Sequence, residues 1–167
     1  MSRPETALLK KIPLFDGLDQ QQLEKVAAVC RKKDYGEGDV LIREGEQGDE
    51  MFVVMEGKVG ISRRIATELP GGEKMSFEKK LAVLDAGSYF GELAMLENDV
   101  RSATVRAESP LRTLVIKSEK MQALMEKDVD LGFKVLKAMS KVMCRRLRKS
   151  NADIAKLMTA FALAVRR

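Results

Sequence analysis

Apolar and polar positions alternate with two different periods along this chain, and the change of period divides it. Near the start, Leu18, Leu23, Val26, Ala27 and Cys30 recur at helical spacing, which predicts a helix over 19–32 with Asp19 as its N-cap. A shorter helix is expected over 5–12, separated from it by Pro13 and Gly17. From Tyr35 the helical period is lost. Glycines at 36, 38, 45, 48, 57, 60, 71 and 72 punctuate short runs rich in β-branched and apolar residues. These are "DVLIRE", "MFVVMEG" and "KVGISRRI", then "SFEKKLAVL", "SATVRA" and "RTLVI". Many short strands without alternating helices point to a sandwich or barrel and disfavour a parallel α/β sheet. "LPGGEK", residues 69–74, has the chemistry of a hairpin tip. Its flanks, Ile61 to Leu84, make a long ribbon expected to project from the body or to carry a partner contact.

After Lys117 helical spacing returns. Ser118 is expected to cap "EKMQALMEK", and Asp128 the segment that follows. From Phe133 a heptad persists: positions 133, 140, 147, 154 and 161 hold Phe, Ser, Leu, Ile and Phe, and 136, 143, 150, 157 and 164 hold Leu, Met, Ser, Leu and Ala. Only the two serines break the apolar seam, so the helix is built either to pair with a second copy or to pack on its own domain; pairing is favoured, because a small barrel offers little surface to cover it. Ser150 with Asp153 also reads as a fresh capping box that interrupts this helix. The expected division is 1–127 for helices and barrel, and 128–167 for a helical lid and dimerisation region.

Composition narrows the chemistry. Among 167 residues there is no histidine and no tryptophan, and the net charge is +5. Without histidine, Ser-His-Asp and Cys-His catalysis and His-ligated metals are excluded. An enzyme is therefore not expected, nor a cofactor or metal. Cys30 and Cys144 lack metal spacing and read as free thiols. No run of about 18 apolar residues is present, so no membrane partner is expected. The start, "MSRPETALLKK", lacks a signal-peptide stretch, and the expected location is cytoplasmic.

The chemistry concentrates in "FGELAMLENDVRS", residues 90–102. Gly91 permits close backbone approach. If Glu92 opens a short helical turn, the amides of Leu93 and Ala94 face an anion, and the planar fork of Arg101 can clamp two phosphate oxygens. A carboxylate beside a phosphate needs another task, such as accepting from a sugar hydroxyl. A phosphate and a free hydroxyl held together describe a 3′,5′-cyclic nucleotide. On the residues alone a structural Glu92–Arg101 ion pair is the commoner arrangement.

"FGELAMLENDVRSATVRA" resembles the phosphate-binding cassette of the cyclic nucleotide-binding domain family. "LIREGEQGDEMFVVMEG", 41–57, is similar to the upstream signature of that family, and "IPLFDGLDQQQLEKVA" to its N-terminal helices. The resemblance spans about residues 8–150. It implies a mainly β fold: a small antiparallel jelly-roll barrel (a double-stranded β-helix) with an N-terminal helical bundle and C-terminal helices. It implies a non-catalytic receptor in which Glu92 accepts from the ribose 2′-OH and Arg101 pairs with the cyclic phosphate. Gly91, Leu93, Ala94, Ser102 and Ala103 complete the cassette. Serine after the arginine favours cAMP over cGMP. "MCRRLRKSNAD" resembles the helix of the catabolite-activator branch whose hydroxyl residues meet adenine, which places Ser150 and Asn151 at the base. That branch carries a helix-turn-helix after this helix and this sequence does not, so direct DNA binding is not expected. Ligand binding is expected to move the C-terminal helices and alter a homodimer or an effector-protein contact. The alternatives are an assembly module that no longer binds nucleotide, with Glu92–Arg101 as an internal salt bridge, and a nucleotide-degrading enzyme, which the absent histidines disfavour.

Overall fold

The computed structural model describes residues 3–68, 72, 74–95 and 100–165. Two four-stranded antiparallel sheets face each other, flanked by helices. The strands are β1 (Cys30–Tyr35), β2 (Val40–Ile42), β3 (Glu50–Glu56), β4 (Lys58–Glu68), β5 (Lys74–Asp85), β6 (Tyr89–Phe90), β7 (Thr104–Ala107) and β8 (Leu111–Lys117). One sheet runs β1-β8-β3-β6 and the other β2-β7-β4-β5. No ladder joins them among the described residues, so the expected barrel is open here.

The central strands of the first sheet, β8 and β3, are buried on both faces, and their sequence shows why. In β3, Met51 and Val53 point at the helices, while Phe52 and Val54 point at the second sheet. In β8, Leu114 and Ile116 share the helix side with them, and Leu111 and Val115 the inter-sheet side. A strand covered on both faces reads as a continuous apolar run, as "MFVVM" does. The inter-sheet core holds a stacked pair, Phe52 and Phe90, with ring centroids 5.0 Å apart.

The helices are α1 (Arg3–Leu9), α2 (Gln20–Val29), α3 (Ser118–Lys127) and α4 (Val129–Val165), with a 3₁₀ turn at Pro13–Phe15. Asp19 caps α2 as expected: its side chain accepts from Gln22 N–H, and the Gln22 side chain accepts in return from Asp19 N–H. The expected helix over 19–32 overshoots, because the backbone turns extended at Cys30 and continues as β1 beside β8. Ser118 does not cap α3. It is the first helical residue, buried, and its N–H donates to the Asp49 carbonyl. Asp128 does cap the next helix, accepting from Leu131 N–H at 3.1 Å.

β4 and β5 pair from Lys58–Asp85 to Glu68–Lys74, which confirms the long ribbon. Its tip at 69–71 and 73 lies outside the described residues. α4 is continuous over 37 residues, about 55 Å at the usual helical rise. The expected break at Ser150 is absent, since an unbroken helix keeps every backbone hydrogen bond that a cap would only replace. The early turns of α4 belong to the helix-side core through Leu131, Val135 and Met139. At Gly132 the helix comes so close to α3 that an added Cβ would lie 2.8 Å from the Met125 carbonyl. Beyond Arg146 the helix leaves the body, and Leu147, Ile154, Leu157 and Phe161 are exposed.

A polar clamp sets the start of α4. Gln22 Nε2 donates to Asp130 at 2.7 Å, Lys134 reaches both groups, and Lys25 pairs with Asp128 at 2.6 Å. The bond from Lys25 holds the Asp128 carboxyl below its ordinary value, and that from Lys134 does the same for Asp130. Depressed carboxyl pKa values stabilise the fold above the unfolded-state value of about 3.9 and cease to as pH falls through the folded-state value. We therefore expect Asp128→Asn to lower the melting temperature at pH 6, with the difference from wild type shrinking as pH falls below the unfolded-state value and through the lower folded-state one. An unchanged difference at acid pH would contradict the clamp.

Candidate functional site

Arg101 sits where two loops meet. Its N–H donates to the Glu46 carbonyl at 2.8 Å, and its carbonyl accepts from Gly45 N–H at 2.9 Å. The side chain then runs back between two glycines. Nη2 donates to the Glu50 carbonyl at 2.7 Å, and Nη1 lies 3.5 Å from the Gly91 carbonyl. A Cβ at Gly48 would lie 2.3 Å from Arg101 Nε, so only glycine lets the guanidinium pass. Gly91 has φ +76°, and a Cβ there would meet the Glu50 carbonyl at 2.9 Å. The upstream Gly-x-x-Gly motif and the cassette are thus two walls of one slot.

Among the described residues Arg101 has no carboxylate partner. Burial pulls its pKa below the ordinary arginine value, opposed by the charges of Asp49 and Glu50. It remains a cation, partly desolvated and held among the described residues by backbone carbonyls, and such a group gains most from an incoming anion.

The slot opens into a cavity of about 570 Å³. Its floor and walls include Phe90, Val105, Ile61 and Leu84, and Leu81, Leu93 and Val100 stand exposed at its edge. Gly91, Glu92, Leu93, Arg101, Ser102 and Ala103 all line it. Ala94 belongs to the 3₁₀ turn Glu92–Met95, so the short turn expected at Glu92 is present. The leading N–H groups of such a turn have no partner within it. A larger open trough, about 700 Å³, lies on the outer face of the second sheet among mixed charges such as Arg43, Glu44 and Arg64, and contains no cassette residue.

Glu92 is buried and is not paired with Arg101. Its Oε1 accepts from Arg146 Nη1 of α4. Arg146 is the residue of α4 that lines the cavity; Ser150 and Asn151, a turn further on, are exposed and do not. Nothing in the local sequence distinguishes Arg146 from the other arginines of "RRLRK", or Gly48 from the other glycines of the strand region. Tyr89 under the same corner has its pKa raised, first by burial and then by Glu92, with Arg146 and Arg145 opposing. No group of three or more Cys, Asp or Glu that could hold a metal occurs among the described residues.

A model of the cyclic nucleotide-binding domain matches residues 32–128, more than half of the chain and every residue of the slot. The chain belongs to the cyclic nucleotide-binding domain family. It is 33% identical over 102 residues to a cGMP-dependent protein kinase of Caenorhabditis briggsae, covering 61% of this chain and 13% of the kinase. The catabolite activator protein of Thermus thermophilus superposes with a TM-score of 0.71 at 28% identity, over 87% of this chain and 62% of that one. The regulatory domain of Toxoplasma gondii PKA, crystallised with cAMP, gives 0.66 at 26% identity, over 85% and 49%. This chain therefore spans only a small part of the kinase it matches.

If Gly48 is retained to clear Arg101, Gly48→Ala displaces the guanidinium while the body still folds. The expected outcome is a melting temperature within a few degrees of wild type but cyclic-nucleotide affinity reduced at least about tenfold by calorimetry. Undiminished affinity would show that the slot is not needed.

Proposed function

We propose that this protein is a non-catalytic cyclic-nucleotide receptor that couples its ligand to α4. The carrying observation is Arg101, a half-buried cation without a carboxylate, facing a cavity that also holds a buried acceptor, Glu92. The cyclic phosphate takes Arg101 and the turn amides, with Gly91, Leu93, Ala94, Ser102 and Ala103 around it. The ribose 2′-OH donates to Glu92. The two facing sheets act as the jelly roll that holds this cassette. Ser102 in place of a threonine favours cAMP, and cGMP, named in the kinase relatives, is the comparator. The module needs no cofactor, works in the cytoplasm, and signals through self-pairing of the α4 seam or an effector protein. An assembly module that no longer binds nucleotide would have Glu92 and Arg101 as an internal salt bridge; Glu92 instead accepts from Arg146, which favours the receptor reading.

Arg146 supplies the coupling. A ligand shifts a conformational equilibrium only by its difference in affinity for the two states. A hydroxyl donated to Glu92 changes the hold of that carboxylate on Arg146, and with it the docking of α4 at the cavity.

Calorimetric titration with cAMP and cGMP tests the receptor reading, and folded protein that takes neither refutes it. Arg101→Ala should cost about 2–5 kcal/mol of binding, a loss of roughly 30-fold to several thousand-fold. Arg146→Ala should bind more nearly like wild type yet lose the nucleotide-dependent change in hydrogen exchange over residues 140–150. A variant that keeps that change would remove Arg146 from the coupling.

A further inference from the structure

α4 has three faces, and the reading above uses two. At about 100° per residue, Leu131, Val135, Ala138 and Met139 lie on the side packed against the body. Phe133, Leu136, Leu147, Ile154, Met158 and Phe161 form the exposed seam beside it. Lys134, Lys137, Lys141, Arg145 and Arg148 share the third side. Residues 129–167 contain ten Lys or Arg and two Asp, whereas residues 1–128 contain twenty against twenty-three Asp or Glu. The positive charge of the chain therefore resides in the α4 segment, on a body that is itself slightly acidic.

Little neutralises this stripe. Lys134 is held by Asp130, and Lys137 lies over the Phe133 ring. Lys141, Arg145 and Arg148 are exposed and make no ion pair among the described residues. If the seam pairs two copies, Lys134, Lys141 and Arg148 fall outside the contact and the stripe remains in water. Its neighbours limit what can cover it. On one side α2 approaches, with Gln22 bonded to Lys134; on the other lies the seam. From Lys137 to Arg148 the stripe follows one side of one helix at intervals of three or four residues, and that narrow linear spacing suits a single chain segment better than a flat bilayer or the broad backbone of a duplex.

We propose that this stripe docks an acidic, helical or extended segment of an effector protein. This rests on the receptor reading for the seam, and deepens it by giving the effector a chemistry. Carboxylates spaced about one helical turn apart would meet Lys137, Lys141, Arg145 and Arg148 in succession, and apolar residues between them would reach the edge of the seam.

The test uses the full chain with cAMP present and a fluorescein-labelled 21-residue peptide of glutamate-rich heptads carrying spaced leucines. Binding by anisotropy should weaken as salt rises. The triple variant Lys137→Glu/Lys141→Glu/Arg148→Glu should lose at least about tenfold, and the corresponding glutamine triple variant less. A lysine-for-glutamate version of the peptide should not bind. Equal binding by the charge-reversed variant, or no salt dependence, overturns the proposal. So does tighter binding to a 20-base-pair DNA duplex or to vesicles containing phosphatidylserine. Calorimetry with cAMP and sedimentation of the same samples report separately on nucleotide binding and self-pairing. A failure of the receptor reading would appear there, whereas a failure of the stripe would appear only in the peptide titration.

Discussion

A guanidinium taken partly out of water must be compensated, and in this protein backbone carbonyls do it. The carbonyls of Glu50 and Gly91 receive Arg101, and two glycines make room for it. A carboxylate there would neutralise the cation and close the site to anions. Carbonyl dipoles steady the group without discharging it, so its charge stays available. Much of the surrounding architecture serves this. β3 delivers Glu50, β6 delivers Gly91, and the loop from Arg43 to Gly48 fixes the backbone of Arg101 through a reciprocal pair of hydrogen bonds.

The slot is rigid because its supports are buried on both sides. β3 and β8 carry apolar residues on each face, one row into the helices and one into the second sheet. The stacked Phe52 and Phe90 tie β3 to β6 beneath the cassette, so Gly91 and Glu92 follow from a packed core rather than from a free loop. α4 is rooted in that same helix-side core before it passes the cavity. A change at Glu92 therefore meets a helix already anchored at one end by Leu131 and Val135, with its far turns free of the body. Such an element can transmit a small local change over its length, because a helix moves as a rod more readily than it bends.

Charge is divided as cleanly as packing. The cavity combines one unneutralised cation with one buried carboxylate held by a second cation, and five basic residues of α4 lie along another side of that helix. An anionic ligand inside and an acidic segment outside would be read by different faces of the same helix.

The sequence by itself determined the strands that alternate or run wholly apolar, the Asp19 N-cap, the long ribbon, the helical tail and the candidate residues of the cassette motif. All of these depend on local chemistry: side-chain period, turn residues, and a motif whose members lie within a dozen positions. It also placed Gly91, Glu92, Leu93, Arg101, Ser102 and Ala103 at one site, and the cavity gathers all six. What it could not determine depends on distance along the chain. β1, "CRKKDY", shows no apolar alternation because it is an edge strand whose place is set by pairing with β8. The partner of Glu92 lies 54 positions away, and which arginine of "RRLRK" reaches it depends on the rotation of α4, which Leu131, Val135 and Met139 fix against the core. Ser150, one turn beyond Arg146 and on nearly the same side of α4, and Asn151 after it lie past the cavity, and the continuity of the helix removes the break expected at Ser150. A motif can name the residues a ligand needs, but the phase of a helix is a property of what it packs on, and only the tertiary structure supplies that.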